Sequence, residues 1–196
     1  MVAPMTQRGI ALVKEFEGYH KRLPDDTAKP YLCPANVPTV GYGTTYYEDG
    51  RRVRLSDPAI SRQKAETLLS RQLLVYLNSV DRKIAVTLHE YMRDACGSLA
   101  YNIGTGAFGK STAARMINQQ RWGEVPRAFA MWRMGGGRVL AGLERRRQAE
   151  IALFAIGLKQ MQSGRAAPPM PSRRPSGQSS IWQRILEWLF GKPAAA

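Results

Sequence analysis

The sequence predicts an α+β fold, with one helix near the N-terminus, a small β region after it and a predominantly helical remainder. Apolar residues recur at helical spacing before residue 20 and again after residue 64. The stretch between these parts is rich in Thr, Val, Tyr and Pro, which favours short strands and loops over helix. The 196 residues suffice for one full-sized domain and a short appendage.

The first helix is predicted over residues 6–20, with Thr6 as its N-cap. At about 100° per residue, four apolar side chains fall within one arc of this helix: Ile10, Leu12, Val13 and Phe16. Gly18 lies near its end, and prolines between residues 24 and 38 exclude a continued helix. An amphipathic helix therefore precedes a non-helical segment.

The β region is predicted as a small hairpin over residues 39–55. Residues 39–47 are rich in Thr, Val and Tyr, and the pair Asp49 and Gly50 favours a tight turn before a second run at residues 51–55. Glycine-containing segments at 104–106 and 135–137 separate the later helices. Those helices are predicted over residues 65–80, 87–103, 110–119, 123–132 and 143–157.

Composition divides the chain into three parts. Residues 1–157 are predicted to form the folded domain, residues 158–180 a Pro-, Ser- and Arg-rich linker, and residues 181–196 a short amphipathic helix and tail. The mixture of aromatic and cationic side chains in the last part suits a helix that lies on anionic lipid. The expected membrane contacts are Trp182, Arg184, Trp188 and Phe190. Docking of this helix on the folded domain is the alternative.

The chain is strongly basic, with 29 Lys and Arg against 15 Asp and Glu and a net charge of +14. Such a charge favours an anionic partner, either an acidic cell-wall polymer, anionic lipid or nucleic acid, although solubility alone is an alternative. No nucleic-acid-binding motif is recognisable, so nucleic acid is not the expected partner. Cys33 and Cys96 lie far apart without a metal-binding or disulfide pattern, and we expect free thiols and no metal or cofactor.

Glu15 and Glu17 occupy different sides of the first helix. About 200° of rotation separates two residues at this spacing, so only one of them can face the apolar arc. Glu17 lies inside the edge of the arc, and a carboxyl there loses hydration when ionised and keeps its proton more readily, as a glycosidase acid must. The alternative is a solvated Glu17 paired to Lys14 or Lys21.

Several ordered motifs resemble one known family. They are Phe-Glu-Gly at 16–18, YLCPANVPTVGYGT at 31–44, LAYNIGTGAF at 99–108 with Ser111 and Thr112, and GRVLAGLERRRQAE at 137–150. Together they resemble the phage lysozymes of glycoside hydrolase family 24 over residues 6–157. In that family a helix-borne Glu is followed by an Asp or Cys, then five residues, then a Thr that begins a strand ending in a GYG-like turn. Cys33 and Thr39 keep that spacing.

The resemblance implies three catalytic roles. Glu17 is expected to be the general acid, Cys33 to occupy the second catalytic position, and Thr39 to hold the attacking water. Fifteen residues separate Glu17 from Cys33 where about eight is usual in the family, so an insertion lies between them. Asp26 occupies the eight-residue offset and is the reserve candidate, although Leu32 stands where a Thr would have to follow it.

Two further residues are expected to bind substrate by the same resemblance. Asn102 and Arg145 match motif positions that could line the groove. The alternatives are that Asn102 only closes a helix before Gly104, and that Arg145 belongs to a solvated run at residues 145–147.

The resemblance implies a lysozyme-like fold, with a cleft between a small β lobe and a larger helical lobe. It also implies an endolysin that hydrolyses the β-1,4 bond between N-acetylmuramic acid and N-acetylglucosamine in bacterial peptidoglycan and so lyses the host. The family generally inverts the anomeric carbon, whereas a Cys33 thiolate acting as nucleophile leaves that outcome open. The alternative function is a catalytically inactive basic protein that disrupts membranes or binds the cell surface.

The N-terminal segment predicts where the protein acts. Charged and polar residues interrupt it before a long apolar run can form, so neither a signal peptide nor a spanning helix is predicted there. By analogy with the family, we expect accumulation in the host cytoplasm and action in the periplasm after release through a separate pore. We also expect a monomer.

Overall fold

The computed structural model describes residues 3–164, and this part of the chain holds seven α-helices and two small antiparallel sheets. The helices are α1 (Gln7–Glu17), α2 (Arg62–Lys83), α3 (Glu90–Ile103), α4 (Thr105–Gly109), α5 (Thr112–Asn118), α6 (Val125–Ala130) and α7 (Ala141–Ser163). The strands are β1 (Tyr31–Leu32), β2 (Pro38–Thr39), β3 (Met134–Gly135) and β4 (Arg138–Val139). Single turns of 3₁₀ helix precede and follow α6. The predicted α+β class is confirmed.

Helix α1 is capped at both ends by residues that the sequence singles out. The hydroxyl of Thr6 accepts a hydrogen bond from the backbone N–H of Gly9 at 3.2 Å. The backbone N–H of Gly18 donates to the carbonyl of Lys14 at 3.1 Å. Gly18 has a φ of 72°, a conformation that favours glycine, so α1 ends at Glu17, three residues earlier than predicted.

The β region consists of short ladders instead of one continuous hairpin. Gly41 and Gly43 take positive φ and turn the chain, which interrupts the strand expected over residues 39–47. The turn expected at Asp49 and Gly50 does form, with the Gly50 N–H donating to the carbonyl of Tyr47 at 3.1 Å. The residues paired across these ladders are Tyr31 with Thr39, Leu32 with Pro38, Val40 with Thr44 and Tyr46 with Arg52.

Helix α3 is the central element of the helical part. It packs against α1, α2 and α7, and residues 94–100 are all buried. Gly157 of α7 allows the closest approach, because a Cβ built there would lie 2.7 Å from the backbone nitrogen of Met92. Cys96 is fully buried in this core, as the sequence predicts. Helices α1 and α7 thus both pack against α3, and they also contact each other. This packing fixes the side chains that lie between α1 and α7.

Later elements differ from the sequence pattern. Helix α4 and the β3–β4 hairpin occupy the two glycine segments that were predicted only as separators. Helix α7 continues through Ser163, and the predicted linker start at residue 158 lies inside it. Leu158 and Met161 pack against the core, so tertiary contacts extend the helix beyond the change in composition.

The helix predicted after residue 180 lies outside the described residues. Within residues 3–164, no helix has the length and apolar character needed to span a bilayer.

Candidate active site

Glu17 lies at the C-terminal end of α1, at the wall of an open groove. The groove has a volume of about 550 Å³, and the Glu17 side chain is 23% exposed. Residues from α1, α3 and the start of α7 line it: Glu15, Phe16, Glu17, Asn102, Leu140, Gly142, Leu143, Arg145 and Arg146. The predicted catalytic acid and both predicted substrate-binding residues therefore line the same groove.

Glu15 also lies at this groove, which the helical rotation did not predict. Its side chain is exposed, whereas that of Glu17 is half-buried, so the two carboxyls differ in burial as expected. Residues on two sides of the last turn of α1 therefore line the groove.

The carboxylate of Glu17 pairs with Arg146 of α7. The Nη1 of Arg146 donates to Oε1 of Glu17 at 2.6 Å, and the Arg146 side chain is only 5% exposed. The sequence predicts that Glu17 lies at the edge of an apolar face. In the structure it also contacts the buried cation of Arg146. Because Oε1 is occupied by this ion pair, Oε2 is the carboxylate oxygen left for chemistry.

Oε2 of Glu17 faces the turn at residues 41–43. A Cβ built on Gly43 would lie 3.8 Å from Oε2 and 3.8 Å from the hydroxyl oxygen of Tyr101. The turn is closed by two hydrogen bonds between Val40 and Thr44, at 2.9 and 3.1 Å, and Gly43 has a φ of 91°. Gly43 thus allows the β region to approach the acid without a side chain in between.

Three tyrosines surround the acid. Burial raises the pKa of Tyr31, Tyr76 and Tyr101, and the negative charge of Glu17 adds to the rise in each case. The Tyr76 and Tyr101 rings meet edge to face with centroids 4.9 Å apart. These hydroxyls stay protonated at neutral pH, so the tyrosines add no charge to the surroundings of Glu17.

Cys33 follows β1, and its thiol lies beside Thr39. Backbone N–H groups of Val37 and Ala35 and the Thr39 hydroxyl lower the pKa of the Cys33 thiol from its usual value. The Thr39 hydroxyl, with its single proton, donates to the carbonyl of Val37 at 2.9 Å. It can donate either there or to a thiolate, so ionisation of Cys33 can recruit it.

Tyr31 connects the two parts of the site. The charges of Cys33 and of Glu17 both act on its hydroxyl, which places the three groups near one another. Asn36 has a φ of 59°, a conformation that asparagine adopts more readily than most residues, and it lets the loop between β1 and β2 close.

Asp26, the reserve candidate, is engaged elsewhere. Its carboxylate accepts from Nε and Nη2 of Arg62 at 2.8 and 2.7 Å, and Arg22 lies 2.7 Å from it. Hydrogen bonding to Arg62 is the main cause that lowers the pKa of Asp26. Arg62 also donates to the hydroxyl of Tyr42 at 3.1 Å. Asp26 therefore connects its loop to α2 through these ion pairs. Like Cys33 and Thr39, it is not among the residues that line the groove at Glu17.

Sequence reasoning missed the buried ionic partners on α7. The alternative for residues 145–147 is a solvated run, yet Arg146 and Arg147 are only 4% and 1% exposed. Arg145 alone of the three is exposed. The sequence does contain an indication of these ion pairs, because Glu150 follows Arg146 and Arg147 at helical spacings of four and three residues.

The fold and the groove define a lysozyme-like protein with its acid at the end of the first helix. The family model described as Phage lysozyme matches residues 14–150, a span that includes Glu17, Cys33, Thr39 and Arg146. The endolysin of Salmonella phage P22 is 33% identical over 150 residues, which cover 76% of this chain and 97% of that relative. The chain therefore belongs to the phage lysozyme family.

Two further comparisons define how far the likeness extends. The endolysin of Bacillus phage B103 is 33% identical over 173 residues, or 86% of this chain and 60% of that relative. The chain thus spans only part of the length of the Bacillus phage endolysins, 60% for B103 and 55% for PZA. A solved P22 lysozyme variant superposes with a TM-score of 0.67 at 30% identity, covering 78% of this chain and 99% of that one. The lysozyme-like fold is confirmed.

Proposed function

We propose that this chain is an endolysin that hydrolyses the β-1,4 glycosidic bond between N-acetylmuramic acid and N-acetylglucosamine in bacterial peptidoglycan, and so lyses the host cell. The observation that carries the proposal is the Glu17 carboxyl, held by Arg146 at the wall of an open groove and faced by the Gly43 turn. The likeness to the P22 endolysin over nearly its whole length supports it.

Glu17 acts as the general acid. Its Oε1 is bound by Arg146 at 2.6 Å, so Oε2 delivers the proton to the leaving glycosidic oxygen. The tyrosine hydroxyls beside it are neutral at pH 7, so they bring no charge of their own to the carboxyl.

Cys33 and Thr39 act on the opposite side of the sugar. The lowered pKa of Cys33 favours its thiolate, which can take the proton of an attacking water while the Thr39 hydroxyl orients that water. Attack by water inverts the anomeric carbon, whereas attack by the sulfur itself would give a covalent intermediate and retention. Asp26 remains the reserve for this position, although its carboxylate is already paired with two arginines.

Asn102 and Arg145 contact the substrate along the groove. Both side chains are exposed and line the same cavity as Glu17. The Arg145 guanidinium suits the carboxylate groups that peptidoglycan presents, and the Asn102 amide can both donate to and accept from sugar groups.

We further propose that the protein accumulates in the host cytoplasm and reaches the periplasm through a separate pore. Contact with anionic lipid is assigned to Trp182, Arg184, Trp188 and Phe190, which lie outside the described residues. Support for that contact is the composition of the segment alone.

The test is digestion of purified Gram-negative peptidoglycan by the full chain, followed by borohydride reduction and mass spectrometry of the soluble products. We expect muropeptides that end in reduced N-acetylmuramic acid. Products ending in reduced N-acetylglucosamine would assign a different glycosidic bond. An absence of soluble products, with intact protein, would instead favour the inactive cell-surface-binding alternative.

A further inference from the structure

Four charged side chains form a connected cluster between α1, α3 and α7. Arg146, Arg147 and Glu150 are 4%, 1% and 0% exposed, and Glu17 forms the outer, solvent-facing end. Charged groups are buried only where partners replace the hydration that they lose. We refer to these four residues as the buried charge cluster.

Glu150 is the inner end of the buried charge cluster. Its Oε1 accepts from the hydroxyl of Ser98 at 2.7 Å, from Nη2 of Arg147 at 2.9 Å and from Nε of Arg146 at 3.3 Å. Its Oε2 lies 2.8 Å from Nε of Arg147. The carboxylate is therefore fixed by groups of both α3 and α7.

Arg146 spans the distance from Glu150 to Glu17. While Nε contacts Glu150, Nη2 donates to the carbonyl of Ser98 at 3.5 Å and Nη1 donates to Glu17 at 2.6 Å. A guanidinium is planar and rigid, so fixing two of its nitrogens fixes the direction of the third. The position of the Glu17 carboxyl thus depends on Glu150 through one intervening side chain.

The buried charge cluster contains two cations, Arg146 and Arg147, and Glu150 supplies a negative charge beside both of them. A general acid must hold a proton, yet a guanidinium beside a carboxyl favours the ionised form. When Glu17 is protonated, two cations of the cluster remain, and the Glu150 carboxylate is the anion that faces both. Glu150 therefore offsets part of the positive charge that Arg146 and Arg147 place near Glu17.

We propose that Glu150 is a positioning residue for the reaction, which anchors Arg146 and balances its charge beside the Glu17 carboxyl. This inference rests on the proposed function of Glu17 as the general acid. Glu150 itself does not touch substrate; it acts through Arg146.

Other titratable groups face the cluster and enter its pH dependence. Burial raises the pKa of Cys96, which faces Glu150, and of the tyrosines around Glu17, so these groups are neutral near pH 7. Burial also raises the pKa of Glu150, while both arginines and Ser98 oppose that rise. Asp94, which acts on Cys96 from the same helix, has a pKa raised to about 7 by burial and titrates in the range of the experiment. Its contribution is common to the variants compared below.

The experiment compares the pH dependence of peptidoglycan cleavage by the full chain and by Glu150→Gln at constant ionic strength. Gln has nearly the volume of Glu and keeps an acceptor for Ser98, but it leaves both guanidinium charges unbalanced. We expect the alkaline limb of the rate profile to move to lower pH by about one unit, with a loss that approaches about 10-fold on the alkaline side and little loss at pH 5.

Two companion variants separate charge from packing. Arg147→Gln removes one cation and should move the alkaline limb the opposite way, and the pair Arg147→Gln with Glu150→Gln should return it toward the original position. Arg147→Gln also keeps the test available if Glu150→Gln alone does not fold. A uniform loss of rate at every pH, or identical limbs in all folded variants, would overturn the proposal, including the ionised state that it assigns to Glu150.

A second readout does not require activity. The side-chain carboxyl carbon of Glu17, followed by NMR and assigned with Glu17→Gln, should release its proton at lower pH in Glu150→Gln and at higher pH in Arg147→Gln. If the unaltered chain does not cleave peptidoglycan, the proposed function fails while this titration still tests the inference. Unchanged titration in a folded, active set of variants would overturn the inference and leave the proposed function standing.

Discussion

Glu17 combines two features at the end of α1, a buried cation on one carboxylate oxygen and an open approach to the other. Arg146 binds Oε1 at 2.6 Å, while Oε2 faces the backbone of Gly43. The ion pair fixes the direction of the carboxyl, and the missing side chain at Gly43 leaves space beside Oε2. The acid is therefore oriented by α7 and made accessible by the β region.

Cys33 is the residue whose substitution tests the second catalytic position. Cys33→Ala should lower the rate of peptidoglycan cleavage by at least about 100-fold, since it removes the base. Cys33→Asp should keep substantial activity, with an acid limb at lower pH, because a carboxyl ionises near pH 4 and a thiol several units higher. Rates measured from pH 4 to pH 9 check both expectations.

Asp26→Asn is the matched change at the reserve position. It removes an exposed pair with Arg22 and Arg62, so we expect nearly unchanged rates and little loss of thermal stability. An active Cys33→Ala enzyme together with an inactive, folded Asp26→Asn enzyme would reverse the assignment of this position.

Gly43 offers a second residue-level prediction with an internal control. Gly43 and Gly50 have φ values of 91° and 81°, so an alanine at either position strains the backbone by about 1 kcal/mol. Only Gly43→Ala places a methyl group near Oε2 of Glu17; nothing lies within 4 Å of a Cβ at Gly50. We expect similar losses in thermal stability from both changes, and more than about 10-fold loss of activity from Gly43→Ala alone. Equal activities would show that the turn does not approach the reacting bond.

At the scale of elements, the attachment of α1 to α3 depends on Asp94. This carboxyl is 1% exposed and accepts from the backbone N–H of Thr6 at 3.0 Å and from the Thr6 hydroxyl. Burial raises its pKa from 3.8 to about 7, so the folded state binds the proton more tightly than the unfolded chain. The resulting stabilisation is fully present below about pH 4 and is lost as the pH rises through 7.

Asp94→Asn should remove this pH dependence. The amide oxygen can still accept from Thr6, but the side chain no longer has to ionise in the core. We expect the melting temperature of the unaltered protein to fall by several degrees between pH 5 and pH 8, and that of the variant to fall less. Parallel curves for the two proteins would show that another group is responsible.

For the whole molecule, the parts predictable from sequence are those in which local chemistry and tertiary packing agree. Thr6 caps α1 through its hydroxyl, Gly18 ends it, and Asp49 with Gly50 forms a turn, all as their side chains or conformational freedom dictate. The pairing of Cys33 with Thr39 across one short loop was also within reach of spacing and resemblance.

The parts that were not predictable depend on contacts distant in sequence. Arg146 meets Glu17 across 129 positions, and nothing near either residue indicates the partner. Helix α7 extends past residue 158 because its apolar side chains reach the core, although the local composition there resembles a linker. Whether a charged run is solvated or buried likewise depends on which helix covers it.

The extent of α7 leads to a prediction about truncation. A chain that ends after Gly164 keeps all of α7 and should fold and cleave purified peptidoglycan at nearly the full rate. A chain that ends after Gly157 loses Leu158 and Met161 from the core and should melt several degrees lower. Circular dichroism melting curves of both chains check this. Equal stabilities would mean that the folded unit ends where the composition changes.

The central claim, that Glu17 is the acid of a peptidoglycan-cleaving enzyme, is tested most directly by Glu17→Gln beside Glu90→Gln as a matched control. Glu90 is exposed in the first turn of α3. The measurement is the rate of release of reducing N-acetylmuramic acid ends from purified peptidoglycan, with melting curves to show that each variant folds. We predict that Glu17→Gln lowers this rate by at least about 100-fold without loss of folding, and that Glu90→Gln keeps the full rate. A folded Glu17→Gln protein that releases these ends as fast as Glu90→Gln would contradict the account.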